Sequence, residues 1–246
     1  MLEKPFFKNY KIGLVILAIF FIGLSISIYL LENYFLFRLL RGIVCYTTLV
    51  YLLMIHGKNI QKWIVAFLFF YGASSITTVW FENGTMASIS MILNFIAFLM
   101  LFFYILPKFS LKKITKTFTI LFILMITVNG YLLLQLIEIM KELTNNTQYV
   151  FMLLSAWSGI LLAFLALMHN HYFNTPQSMA FTLLIFSLVF AQIFRGIGYY
   201  QLEEGALFIY LGRIFFILSL CVIVHISHLD LKTVKSLRTP INKEII

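Results

Sequence analysis

Residues 12–30 read IGLVILAIFFIGLSISIYL, with no charged side chain and no proline. Wound as a helix at 1.5 Å per residue, these 19 residues match the ~30 Å hydrocarbon core of a bilayer. A cleaved signal peptide has a shorter apolar core and small residues at its cleavage site. The stretch therefore reads as a retained first membrane span behind the basic segment MLEKPFFKNYK.

The pattern repeats along the chain. Apolar runs of about 20 residues fall near 12–31, 36–56, 62–81, 86–106, 117–139, 149–168, 178–198 and 206–227, divided by short polar breaks such as HGKNIQK and FENGT. Of the 246 residues, 62% are hydrophobic and 11% charged, against about 25% charged in a soluble domain. A water-soluble fold of this size could not hide so much apolar surface. The runs are continuous rather than alternating, which argues for helices and against a barrel. The expected fold is all-α, a polytopic transmembrane helix bundle of about eight spans over residues 1–228. A short basic cytoplasmic tail, 229–246, extends the last helix until Pro240 ends it.

The net charge of +9 does not point to nucleic acid, because the lysines sit in short loops rather than in a basic domain. With eight spans, thirteen of the 18 Lys and Arg residues fall on the side of residue 1, and five (Arg38, Arg41, Lys141, Arg195, Arg213) on the other. The even count puts both termini on the basic, cytoplasmic side, as the positive-inside rule expects. Seven spans would leave one basic end outside. The lysine, isoleucine and phenylalanine bias points to a bacterial inner membrane.

The acids follow the arginines. Glu32, Glu82, Glu138, Glu142, Glu203 and Glu204 all fall at outer ends. Arginine is the residue suited to buried pairing, since its planar fork matches a carboxylate or phosphate. Arg38 and Arg41 are three apart and share a helix face. Arg213, in FRGIGYYQLEEGALFIYLGRIFF (residues 194–216), lies ~10 Å inside the last span. A charge at that depth costs a few kcal/mol unless it pairs, snorkels or faces water. Two readings stay open. Arg195 and Arg213 could pair with Glu138 or Glu203 as a structural clamp. Alternatively, Arg38, Arg41, Arg195 and Arg213 form, with Glu138, an outward-facing pocket for an anionic headgroup or carboxylate.

All five histidines, His56, His169, His171, His225 and His228, fall at inner ends. His225 and His228 share a face near Asp230, the nearest approach to a metal-ligating set. Their spacing is looser than a metal motif, and histidine is at home at a membrane interface. No metal or other cofactor is expected. Cys45 and Cys221 lie inside apolar runs without CxxC spacing and read as packing residues. Asn94, Asn129, Gln135, Ser155, Ser158 and Gln192 read as interhelical hydrogen-bonding groups. Asn83 and Asn145 open N-x-T sequons. The chain contains no GxSxG, Walker or HExxH motif.

One stretch resembles a known family. HNHYFNTPQSMAFTLLIFSLVFAQIFRGIG, residues 169–198, is similar to the penultimate segment of the YhhN-type, lysoplasmalogenase-like membrane proteins. There a loop with an aromatic residue and a proline leads into a span ending in Ala-Gln and then glycine. Those positions are Phe173, Pro176, Ala191, Gln192 and Gly196. The resemblance implies an eight-span fold and a lipid-like ligand. The family also carries intramembrane aspartates, whereas FYGASSITTVW (70–80) and GILLAFLALMHN (159–170) contain no acid; if those acids carry the family's hydrolase chemistry, the resemblance implies the fold and ligand without the reaction.

The sequence thus points to a non-enzymatic membrane protein that binds or senses a lipid-like or anionic ligand, or serves as a subunit of a membrane complex. Its expected partners are membrane lipids or a second membrane protein. The alternatives are a lysoplasmalogenase-type lipid ether hydrolase and, third, a small-solute transporter.

Overall fold

The computed structural model describes residues 10–108, 116–141, 145–200 and 205–238. Among them every regular element is helical. The eight α-helices are α1 (Tyr10–Leu30), α2 (Tyr34–His56), α3 (Lys62–Thr77), α4 (Gly84–Ile105), α5 (Lys116–Lys141), α6 (Asn146–Phe173), α7 (Pro176–Tyr200) and α8 (Gly205–Arg238). They coincide with the eight apolar runs. Seven are long and apolar enough to cross a membrane, while the described apolar stretch of α5 is the shorter Phe122–Gln135. The chain is a multi-pass integral membrane protein.

The ends of the neighbouring helices require α5 to cross as well. At the end of α4, Tyr104 donates to Asp230 near the end of α8, and Lys108 pairs with the same carboxylate at 3.6 Å. At the start of α6, Gln148 donates to the Gly84 carbonyl that opens α4. Between Lys108 and Asn145 the chain must therefore pass from one end of the bundle to the other. The 26 residues of α5, at 1.5 Å each, are ample for this. Tyr10, at the start of α1, hydrogen-bonds His225 of α8, so the first helix begins at the end where the last one finishes.

Local chemistry sets the helix ends. Asn33, Asn83 and Asn145 are N-caps whose side chains accept backbone N–H groups of the first turn, satisfying donors that the helix cannot. Asn145 and Gln148 form a reciprocal capping box. The two sequon asparagines thus have a structural task of their own. Asn174 stops α6 in the left-handed region, at φ 41°, and Pro176 opens α7 with the φ a first helical residue needs.

Six helices close into a ring, each packed on the next in the order α2, α3, α4, α6, α7, α8 and back to α2. α1 leans on α2 and α8, and α5 packs on α6. α1 fully buries only Ser25; Leu14, Phe21, Ile22, Leu24 and Ile28 pack against the core, while Ile12, Ile16, Ile19 and Phe20 are exposed on its outer face. Inside the ring, Phe67, Tyr71, Phe181 and Phe216 are among the most deeply buried large side chains. At the basic end, α8 continues unbroken past residue 228 to Arg238. Asp230, assigned to the tail from sequence, belongs to the bundle. Tyr104, Lys108 and Gln177 all engage it, since a half-buried carboxylate needs donors. Pro240 lies outside the described residues.

A close backbone contact joins α7 to α8. A Cβ on Gly198 would lie 3.0 Å from the Ile209 nitrogen and 3.1 Å from the Gly205 carbonyl oxygen. Both obstacles are backbone, which cannot step aside. Gly198→Val is expected to push α7 and α8 apart and to destabilise the fold by about 1–3 kcal/mol. A lowered Tm in detergent would register this, whereas an unchanged Tm would contradict the close packing.

Candidate functional site

A cavity of about 880 Å³ lies at the end of the bundle opposite the lysine-rich loops. Seven helices and the turn after α3 contribute to its wall. Its size is within the ~300–1,000 Å³ usual for ligand sites. Most of the wall is aromatic, aliphatic or glycine, but all four arginines of the sequence-predicted cluster line it: Arg38, Arg41, Arg195 and Arg213. Among the described residues the lining contains no Asp, Glu, His or Cys.

Helix geometry gathers these arginines. Arg38 and Arg41 are one turn apart on α2. Arg195 and Arg213 are brought together by the glycine contact of α7 and α8, where a Cβ on Gly212 would approach the Arg195 nitrogen to 3.2 Å. Arg213 stands eight residues inside α8 and Arg41 seven inside α2, each ~10–12 Å along its helix. Both are only 7% exposed. The charges of Arg41 and Arg195 both act on Arg213, so the cluster is mutually repulsive.

Neither deep guanidinium has a carboxylate partner among the described residues. Arg213 donates through Nη2 to the Phe37 carbonyl at 2.6 Å and lies 4.0 Å over the Phe37 ring. Arg41 donates through Nη2 to the Tyr71 hydroxyl at 2.9 Å. Both face the Phe216 ring, at 4.8 and 6.0 Å, where the π quadrupole offsets part of the charge. Arg41 Nε and Arg213 Nη1 remain buried without a hydrogen-bond partner. An unpaired buried donor costs about 1–3 kcal/mol, and more when charged.

Arg38 differs. It lies nearer the surface and pairs with Glu82 at 2.6 Å. Burial pushes the Glu82 carboxyl up, but its own backbone N–H and the Arg38 guanidinium together outweigh this and hold it below the usual carboxylate value. The ion pair is present above that lowered value and is lost only as pH falls through it. Arg38 is thereby balanced, and the deep pair is not.

A hydrogen-bonded chain continues from Arg41 across the ring. Gln192 donates to the Tyr71 hydroxyl at 3.3 Å and to Asn94 Oδ1 at 2.8 Å, and Asn94 donates to Ser155 Oγ at 2.6 Å. Arg41, Tyr71, Gln192, Asn94 and Ser155 thus link α2, α3, α7, α4 and α6. Three of the polar residues read from sequence as interhelical groups fall in this chain. Asn129 and Ser158 instead bond carbonyls of their own helices, and Gln135 bonds Tyr131 one turn away. Tyr71, the link to arginine, carried no sequence signal, because a tyrosine within FLFFYGASS reads as one more aromatic.

The remaining predicted site residues lie elsewhere. Glu138 is exposed on α5 and does not line the cavity. It is about 120° or more around the helix from each of Asn129, Leu132 and Leu133, the α5 residues that do line it, and so projects from another face. Among the described residues it is no partner for the arginines, and Glu203 lies outside those residues. His225 and His228 pack on Tyr10, while Asp230 engages Lys108, Tyr104 and Gln177. Among the described residues no group of three or more His, Cys, Asp or Glu could hold a metal ion. Cys45 is buried and Cys221 half-buried, both as free thiols.

The chain tests its polar core directly. In a double-mutant cycle of Asn94→Ala and Gln192→Ala, the coupling energy is expected near 0.6 kcal/mol and below about 1.7 kcal/mol, the span for membrane hydrogen bonds. Unfolding equilibria in mixed micelles would measure it, and strict additivity would mean the two amides act independently. No family model matches this chain, and no curated protein or solved structure does either.

Proposed function

We propose that this membrane protein binds an anionic amphiphile in the arginine-lined cavity, the charged head against Arg41 and Arg213 and the apolar part along the aromatic wall. One observation carries the reading. Two guanidiniums, each 7% exposed, retain unpaired N–H groups beside a cavity whose described lining holds no acid. An anion placed there would satisfy those donors and relieve the repulsion between the arginines. For Arg41 and Arg213 the clamp reading is less well supported, since neither pairs with an acid among the described residues. The lipid-ether hydrolase and transporter readings draw no added support, because the described lining offers no carboxylate, imidazole or thiol.

The lysine asymmetry supports an orientation with the cavity facing the outside of a bacterial inner membrane and the Asp230 end in the cytoplasm. In a background lacking Cys45 and Cys221, Asn146→Cys is expected to react with an impermeant maleimide on intact cells, and Asn59→Cys only after lysis. The reverse labelling would invert the topology.

Native mass spectrometry from mild detergent addresses the ligand. Wild-type protein is expected to retain an acidic lipid that Arg213→Gln and Arg41→Gln each lose by at least tenfold in bound fraction. Identical adducts on all three proteins would return the arginines to a purely structural role.

A further inference from the structure

We infer that the head this cavity selects is a compact dianion, a phosphate monoester carried by a lipid, rather than a carboxylate or phosphate diester. The inference rests on the anionic-amphiphile reading above and adds the charge of the guest.

The argument is a charge count at one place. Arg38 is neutralised by Glu82 at 2.6 Å. Arg41 and Arg213 are not, among the described residues, and each retains an unpaired N–H. Both guanidiniums line the same cavity beside the Phe216 ring, and the charge of Arg41 acts on Arg213, so the inferred headgroup is placed against both. A monoanion there would leave one buried guanidinium uncompensated, and a buried unpaired ion costs several kcal/mol. A phosphate monoester carries about −1.5 to −2 near pH 7, with a second pKa of about 6, and presents three strong acceptor oxygens to the orphaned donors. Guanidinium forks match that geometry. The polar chain reinforces the demand for an acceptor. The Tyr71 hydroxyl oxygen accepts from both Arg41 and Gln192, and Gln192, Asn94 and Ser155 line the same cavity. The apolar remainder of the wall, with Phe37, Phe98 and Leu132 among it, favours a lipid-borne phosphate over the free ion.

The test uses full-length protein in detergent and four probes: dioleoyl phosphatidate (monoester), dioleoyl phosphatidylglycerol (diester), oleate and inorganic phosphate. Affinities are measured by native mass spectrometry or thermophoresis at pH 7.5 and pH 5. Phosphatidate is expected to bind at least tenfold tighter than the diester or oleate at pH 7.5. That advantage should shrink severalfold at pH 5, where the monoester takes up its second proton. The charged groups at the cavity do not change over this interval. The arginines stay protonated, and Glu82, held below the usual carboxylate value, stays ionised beside Arg38.

Arg41→Gln and Arg213→Gln should each lower phosphatidate affinity at least tenfold and erase its advantage over the diester. The pH arm uses wild-type protein alone, so misfolding of a variant leaves the test intact. Equal wild-type affinity for monoester, diester and oleate would overturn the dianion and leave the anionic-amphiphile reading standing. Failure of all three amphiphiles to bind would overturn that reading itself. Inorganic phosphate binding as tightly as phosphatidate would uphold the dianion and overturn its lipid source.

Discussion

A guanidinium ion inside hydrocarbon has to be solvated by the protein, and Arg41 and Arg213 place two of them ~10 Å within an apolar bundle. Much of the architecture at that end serves this requirement. The Phe37 carbonyl takes one N–H of Arg213, and the Tyr71 hydroxyl takes one of Arg41. Phe37, Tyr71 and Phe216 turn their rings to the charges. The glycines at 198, 205 and 212 allow α7 and α8 to close until Arg195 and Arg213 stand on the same cavity. The solvation is incomplete, and the two orphaned N–H groups are where it fails.

The two ends of the bundle solve their electrostatics differently. At the lysine-rich end, Asp230 sits among Lys108, Tyr104 and Gln177, and the Lys108 ammonium also lies 4.0 Å from the Tyr104 ring centroid. Charge and countercharge are both present, which makes a closed polar tie between α4, α7 and α8. At the arginine-rich end Arg38 has such a partner in Glu82, whereas Arg41 and Arg213 have none among the described residues and line a cavity. That contrast within one molecule is what the proposed guest rests on.

The polar chain from Arg41 to Ser155 crosses the site. Five helices contribute one residue each, so a displacement at the deep arginines has direct contacts through which to reach α4 and α6. Buried networks of this kind hold well only when every member is satisfied. This one is short of acceptors at its arginine end, at Arg41 Nε and Arg213 Nη1.

The fold was largely legible in the sequence because its signal is additive. Some twenty apolar residues in a row make a span whatever their neighbours do, and lysine asymmetry sums over loops. The four cavity arginines were legible for a related reason, since a charge in an apolar run is conspicuous. What escaped were roles that depend on direction and partner. Glu138 has the right charge and depth to pair with arginine, but its position on α5 turns it from the cavity. Tyr71 reads as one aromatic among many until the ring of helices sets it between Arg41 and Gln192. Asn83 and Asn145 read as sequons, though helix geometry employs them as caps. The sequence by itself determined that this chain crosses a membrane as a helical bundle and how its charges divide between the two ends, because hydrocarbon tests each segment separately. Only the tertiary structure decided which charges meet, because a side chain's direction depends on how its helix is rotated within the ring, and packing between helices sets that rotation.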